Sequence, residues 1–288
     1  MNLTLIAIIT LGSIGLFISI LLYITSQKFK VLEDPRLDDV EAALPGANCG
    51  GCGFAGCRNF AEACVKTTNF ETLLCPVGGS DTMSKVASIL GKEAIKTEPK
   101  IAVLRCNGSC ADRPRTSIYD GAASCTIANA TFGGDTGCSY GCLGLADCVK
   151  ACIFGALKMN EKTGLPEVDE AKCTSCGACV KTCPKNLFEL RDKGPESKRI
   201  FVNCMNRDKG ALAQKACAVA CIGCGKCKKV CGYNAIHLAG NLAYIDFKAC
   251  QLCRQCVEVC PTKAITEHSF PPLESKDTKW VPQQIKTK

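Results

Sequence analysis

No charged side chain appears before Lys28, and Leu3 to Thr25, LTLIAIITLGSIGLFISILLYIT, is apolar on every face a helix would present. Those twenty-three residues would rise about 35 Å as a helix, enough to cross a hydrocarbon core about 30 Å thick. The basic start and small-residue cleavage site of a removable leader are missing, so residues 1–27 read as a transmembrane anchor. Lys28, Lys30 and Arg36 follow the apolar run and nothing basic precedes it. That asymmetry predicts a single pass with the N-terminus outside and the remaining chain on the cytoplasmic side. Residues 28–45 are mixed and polar and read as a flexible linker. Beyond them apolar residues come in short pieces. A helix starting near Arg58 would bury Phe60, Ala61 and Val65. IAVL before Cys106 and RIFV before Cys204 read as strands, and AASCTIANA and AQKACAVAC as helical stretches. Gly155-Ala156-Leu157 aligns with Asn234-Ala235-Ile236, and Val168-Asp169 with Ile245-Asp246, as further short strands. The resulting expectation is an α+β chain: a small helical domain at 46–99, two related modules at 100–203 and 204–267, and a proline- and lysine-rich, disordered tail at 268–288.

Composition then supplies the chemistry, because 26 of the 288 residues are cysteine and 2 are histidine. So few imidazoles argue against a histidine-based zinc enzyme. Most of the cysteines stand two or three residues apart in runs of four, the pattern of iron–sulfur ligands rather than of a disulfide scaffold. In the helical domain Cys49, Cys52 and Cys57 form C-x2-C-x4-C, with Cys75 before Pro76 as the fourth ligand. Cys64 falls near the apolar face of the expected helix and reads as a small core residue. Cys173, Cys176, Cys179 and Cys183-Pro184 form C-x2-C-x2-C-x3-C-P, the bacterial ferredoxin pattern, which Cys250, Cys253, Cys256 and Cys260-Pro261 repeat. Cys221, Cys224, Cys227 and Cys231 keep the spacing with Gly232 after the last, and Cys138, Cys142, Cys148 and Cys152 form a looser run.

In two-cluster ferredoxins the fourth cysteine of each run ligates the cluster of the other run. Pairing the runs in order predicts four [4Fe-4S] sites. They are Cys138, Cys142, Cys148 and Cys183; Cys152, Cys173, Cys176 and Cys179; Cys221, Cys224, Cys227 and Cys260; and Cys231, Cys250, Cys253 and Cys256. The helical domain makes five clusters. Cys106 and Cys204 end matching strands, and Cys125 and Cys217 lie in matching helical stretches. This pseudosymmetry predicts a sixth cluster shared between the modules on those four, with Cys110 spare; five structural thiols is the alternative.

The formal charge of +8 counts thiols as neutral. Six clusters at roughly −2 each would bring the loaded chain to about −4, so the lysine excess balances cluster charge. No basic run is interleaved with stacking aromatics, which argues against nucleic acid as a partner. Gly51, Gly53 and Gly56 satisfy G-x-G-x-x-G, yet PGAN precedes them and cysteines interrupt them, so no nucleotide or flavin is expected on this chain. His237 should be exposed on a strand, and His268 should lie in the tail.

The anchor, the GANCGGCGFAGC motif with its later Cys75-Pro76, the CSYGCLGLADCVKAC stretch and the ferredoxin runs, in this order, resemble the B subunits of Rnf complexes. These are membrane ferredoxin:NAD oxidoreductases that pump ions, and the double module resembles the form with extra clusters. The resemblance implies an electron-relay subunit without a catalytic site beyond electron transfer, in a bacterial inner membrane. It would take electrons from soluble reduced ferredoxin and pass them to the other subunits, coupled to sodium or proton transport, with membrane lipid as a further contact. An iron–sulfur subunit of a different membrane reductase, or a membrane-tethered redox sensor, stays open beside it.

Overall fold

The computed structural model describes residues 3–28, 34–67, 70–93 and 98–271; the expected tail falls outside them beyond Pro271. Helix α1 (Leu3–Lys28) contains the apolar stretch. From Ile9 its residues have a mean hydropathy of 1.9, and none of them is buried by the rest of the chain. An unshielded helix of this composition suits lipid, not water.

The stretch expected as a flexible linker differs from its expectation. Helix α2 (Arg36–Ala43) occupies its second half. Leu37, Val40 and Leu44 are buried against α3 (Cys57–Lys66) and α4 (Gly79–Leu90), which contribute Phe60, Ala61, Cys64, Met83, Val86 and Leu90 to the same core. Arg58 on α3 pairs with Glu41 (2.7 Å) and Asp38 (3.3 Å) on α2. Asp34 and Arg36 form a two-pronged ion pair at the helix entrance, which holds the Asp34 carboxyl down at about 2. The short amphipathic helix is thus part of the first domain.

The rest of the described chain is built twice. In the first module β1 (Lys100–Leu104) precedes the short helices α5 (Cys125–Thr131) and α6 (Asp147–Lys150). The hairpin β2 (Leu157–Asn160) and β3 (Leu165–Val168), helix α7 (Ala178–Thr182) and β4 (Phe188–Asp192) complete it. The second module runs β5 (Arg199–Val202), α8 (Gly210–Ala216), α9 (Lys226–Val230), the hairpin β6 (Ile236–Ala239) and β7 (Leu242–Ile245), α10 (Gln255–Glu258) and β8 (Ile265–His268). In each, the first and last strands pair antiparallel: Leu104 opposite Phe188, and Val202 opposite Ile265. Strand β5 therefore pairs within the second module, although a division at 203/204 leaves it in the first. His268, expected in the tail, is the last residue of β8, where its Nε2 lies 3.0 Å from Glu170. His237 is exposed on β6. The tight turn of the β6–β7 hairpin is Gly240-Asn241, both at positive φ (54° and 59°), as a two-residue connection between right-twisted strands requires.

A buried charged knot joins the modules. Arg191 on β4 is 1% exposed, and its Nη2 donates to the Ile245 carbonyl at 3.1 Å. Its guanidinium carbon lies 5.1 Å from the Tyr244 ring centre and 5.6 Å from those of Phe201 and Phe247. Glu189 stands within 3.5 Å of Arg191 and 3.4 Å of Arg105, and accepts from the Tyr244 hydroxyl at 2.6 Å. One carboxylate faces two arginines, so the aromatic faces supply the remaining stabilisation of buried positive charge.

Candidate metal centres

The ligand loops share one backbone signature. In the Cys173, Cys221 and Cys250 runs, the residues on either side of the second cysteine both have positive φ: Ser175 and Gly177, Gly223 and Gly225, Leu252 and Arg254. This left-handed pair curls the chain around a centre and starts the short helix that carries the third cysteine. The looser run repeats the geometry at Gly144 and Ala146. There the residue between them is Leu145, so Cys142 and Cys148 stand where the first and third ligands stand elsewhere, and the second is missing.

A different cysteine takes that place. Cys125, at the start of α5, lines one cavity with Cys142, Cys148 and Cys183. Cys138, expected in this set, does not line it. Three other cavities each hold one whole expected ligand set: Cys49, Cys52, Cys57 and Cys75; Cys221, Cys224, Cys227 and Cys260; Cys231, Cys250, Cys253 and Cys256. These four are of similar size, 320 to 380 Å³ counting the space that opens to solvent. Among the described residues, no three His, Cys, Asp or Glu side chains converge tightly enough for a single metal ion. Thiolates spread around a cavity suit a four-iron cluster instead. The fifth expected set shares a core: buried Cys179 packs with half-buried Cys152 and Cys173, while Cys176 lies three residues before Cys179 in the same loop.

Backbone N–H groups are aimed at the sulfurs, as charge-bearing thiolates require. Leu187 donates to Cys183 at 3.4 Å and Ala264 to Cys260 at 3.3 Å, four residues past the ligand in both modules. In the first domain Gly51 donates to Cys49 at 3.5 Å and Gly78 to Cys75 at 3.4 Å. Burial pushes the Cys142, Cys148, Cys179 and Cys256 thiols up to about 12. Such groups make poor free thiolates for disulfide exchange, whereas metal coordination deprotonates a thiol outright.

Four cysteines are left at the junction of the modules. Cys106 and Cys204 follow β1 and β5, and the chains beside them are tied by the Asn107 N–H donating to the Asn203 carbonyl at 3.0 Å. Cys217 caps the end of α8, where burial first, and then the nearby Cys106 and Cys138 sulfurs, push its thiol up to about 11. Asn206, 1% exposed, places its side-chain nitrogen 3.6 Å from Cys138 Sγ and donates its backbone N–H to Cys204 at 3.4 Å. Cys138 therefore joins Cys106, Cys204 and Cys217. It exchanges places with Cys125, because Cys125 opens its helix while Cys217 ends its own, and the pseudosymmetry fails there. Sequence reasoning missed Asn206, which carries no signal. It also missed the signal of the exchange: Gly144-Leu145-Ala146-Asp147-Cys148 matches Gly223-Cys224-Gly225-Lys226-Cys227 with leucine in the cysteine's place. Cys64 is buried in α3, and Cys110 is exposed.

Comparison with known proteins indicates 4Fe-4S domains on this chain. A model described as a putative Fe-S cluster matches residues 44–71, and models of 4Fe-4S dicluster domains match 136–187, 220–264 and 172–235. The B subunit of the Na(+)-translocating ferredoxin:NAD(+) oxidoreductase complex of Acetobacterium woodii is 43% identical over 92% of this chain and 78% of its own. The B subunit of the ion-translocating oxidoreductase complex of Methanosarcina acetivorans is 42% identical over 90% of this chain and 96% of its own. The chain belongs to the B subunits of these complexes. A third relative, the B subunit of the proton-translocating ferredoxin:NAD(+) oxidoreductase complex of Clostridium ljungdahlii, is 40% identical over 92% of the chain and 93% of its own. As a member of this family, the chain is an electron-transfer subunit of a membrane-associated oxidoreductase complex, equipped with 4Fe-4S domains. The other reductase and the sensor, left open by the sequence, give way to it.

Proposed function

We propose that the chain carries electrons one at a time from a soluble reduced ferredoxin, through six [4Fe-4S] sites, to the membrane subunits of a complex coupling NAD reduction to sodium or proton transport. Bound clusters supply reversible one-electron storage at low potential. The observation that carries the reading is the set of like-sized cavities, each lined by four cysteines, on a chain that also bears an unshielded apolar helix. That helix spans the bilayer with the cluster domains on the cytoplasmic side, where reducing conditions keep thiols free to ligate iron.

The order of the sites follows from which thiols lie near enough to perturb one another. Cys256 lies beside Cys227, Cys204 beside Cys221, Cys142 beside Cys106 and Cys179 beside Cys148. The ligand sets thus form a line. Cys231, Cys250, Cys253 and Cys256 begin it, followed by Cys221, Cys224, Cys227 and Cys260. Cys106, Cys138, Cys204 and Cys217 connect the modules, leading to Cys125, Cys142, Cys148 and Cys183. Cys152, Cys173, Cys176 and Cys179 come next, and Cys49, Cys52, Cys57 and Cys75 end it beside the membrane helix. Without the junction set the line is broken between modules, which is the physical case for a sixth site. Cys138→Ser should behave like Cys106→Ser, losing roughly four irons per chain and disconnecting the modules. Cys125→Ser should instead behave like Cys142→Ser. Iron analysis with redox-titrated EPR distinguishes them, and a Cys138→Ser spectrum matching that of Cys142→Ser would reverse the exchange.

The donor surface lies on the second module, whose two sites lie side by side, with Cys256 near Cys227, and so share an arriving electron. Cys224 is an exposed cysteine, and Lys226, Lys228 and Lys229 beside it are exposed too. Exposed Arg207 and Lys209 approach the same loop: Asn241 donates to the Arg207 carbonyl and packs on Gly223, while Gly210 packs on Ile222. Such a surface attracts a carrier whose cluster lies under acidic groups. Reversing Lys226, Lys228 and Lys229 to glutamate should slow bimolecular reduction by ferredoxin about tenfold at low salt, with the difference vanishing at high salt. Stopped-flow rates over an ionic-strength series test it, and equal low-salt rates would move the dock elsewhere.

A further inference from the structure

The first domain meets the first module at a glycine. A Cβ on Gly51 would stand 2.8 Å from the Cys176 carbonyl oxygen, 3.1 Å from the Cys176 Cα and 3.1 Å from Pro76 Cγ. Two of those neighbours are backbone atoms, which cannot swing aside, so any side chain here pushes the two bodies apart. Beside it the Lys181 ammonium reaches across from α7 to the Gly50 carbonyl at 3.4 Å. The same Gly51 donates its N–H to Cys49 Sγ at 3.5 Å. One residue therefore touches a ligand of the first-domain site and the backbone of a ligand of the Cys152, Cys173, Cys176 and Cys179 site. A cleft between the two bodies continues the contact, lined by Cys52 and Cys75 on one wall and Cys173 and Cys176 on the other.

We propose that Gly51 and Lys181 form the internal docking junction through which the last electron step of the chain passes. The inference rests on the relay reading for direction, and on the contact alone for position. One electron leaves the site held by Cys152, Cys173, Cys176 and Cys179, and one arrives at the site held by Cys49, Cys52, Cys57 and Cys75. No bond forms or breaks and no proton moves. Tunnelling falls steeply with the distance between sites, so contact through a residue with no side chain keeps the step fast. Gly51 is a positioning residue: it permits approach, and Lys181 fixes the partner loop against it.

The test uses the full-length, cluster-loaded protein in nanodiscs, reduced anaerobically by a photochemical reductant so that ferredoxin plays no part. Gly51→Val should retain its iron, lose the magnetic coupling between the two reduced sites in the EPR spectrum, and slow electron arrival at the first domain roughly tenfold. Lys181→Ala leaves the Cys49 loop intact and should slow the same step without changing iron content, which decides the matter if Gly51→Val assembles poorly. Unaltered coupling and rate in an iron-replete Gly51→Val, or an unaltered rate in Lys181→Ala, would overturn the junction. Failure of ferredoxin to reduce the wild-type chain would sink the donor assignment and leave this result standing.

Discussion

Anaerobic removal of iron should unfold both modules rather than leave an empty scaffold. The second module's core contains buried Cys221, Cys227 and Cys256, with half-buried Cys204, Cys231, Cys250 and Cys260 packed against it. In the first, Cys148 and Cys179 share a core of five buried residues with Ala102, Leu157 and Phe188. Its strands run to four or five residues in two-stranded sheets, too little to stand alone in water. A structural metal site contributes on the order of 10 kcal/mol to folding, as much as the whole net stability of a typical domain at about 5–15 kcal/mol. Far-UV circular dichroism should therefore lose its strand contribution and fall toward the helical signal of α1 to α4 as the chelator takes the iron. Retained strand signal with a sharp melt would show that the polypeptide, not the metal, holds these modules together.

Arg191→Ala should be the most damaging single substitution outside the ligands, at about 3–5 kcal/mol, because it removes one partner from a buried charge cluster. Without it Tyr244, Phe201 and Phe247 face a void, and the Ile245 carbonyl loses its donor. For a chain of this size the loss corresponds to a fall of roughly 10 °C in the temperature at which cluster absorbance disappears, read at one heating rate. Arg191→Met should cost less than the alanine, since it fills the space and leaves Glu189 a one-to-one pair with Arg105. A methionine variant as unstable as the alanine would mean that the charge, not the packing, secures the joint.

Where the cysteine spacing is regular, architecture can be read from it. The three ferredoxin runs predict loops with a common fold, and the strands expected after Cys152 and Cys231 are β2, β3, β6 and β7. Legibility fails where tertiary context overrides local pattern. In α2 only Leu37 and Val40 are buried among RLDDVEAA, too few apolar positions to announce a packed helix. Strand β4, FELRD, carries three charged side chains, and Arg191 lies deepest of them only because aromatic rings from the other module close over it. The partition of cysteines at the junction depends on where short helices begin and end, which spacing does not encode. The G-x-G-x-x-G motif does not read as a nucleotide loop, yet its first glycine has a role that emerges only when Cys176 is seen against it.

Helix α2 has a consequence for how far the first domain can range. Seven residues separate Lys28 from Arg36, and a chain of that length spans at most about 25 Å. On the proposal that α1 spans the bilayer, and with α2 clamped to its domain, that domain can pivot about its mooring but cannot travel far. In the proposed relay, the subunit that takes its electron would then present its acceptor close above the lipid headgroups. A longer excursion would require α2 to peel away and wet Leu37, Val40 and Leu44.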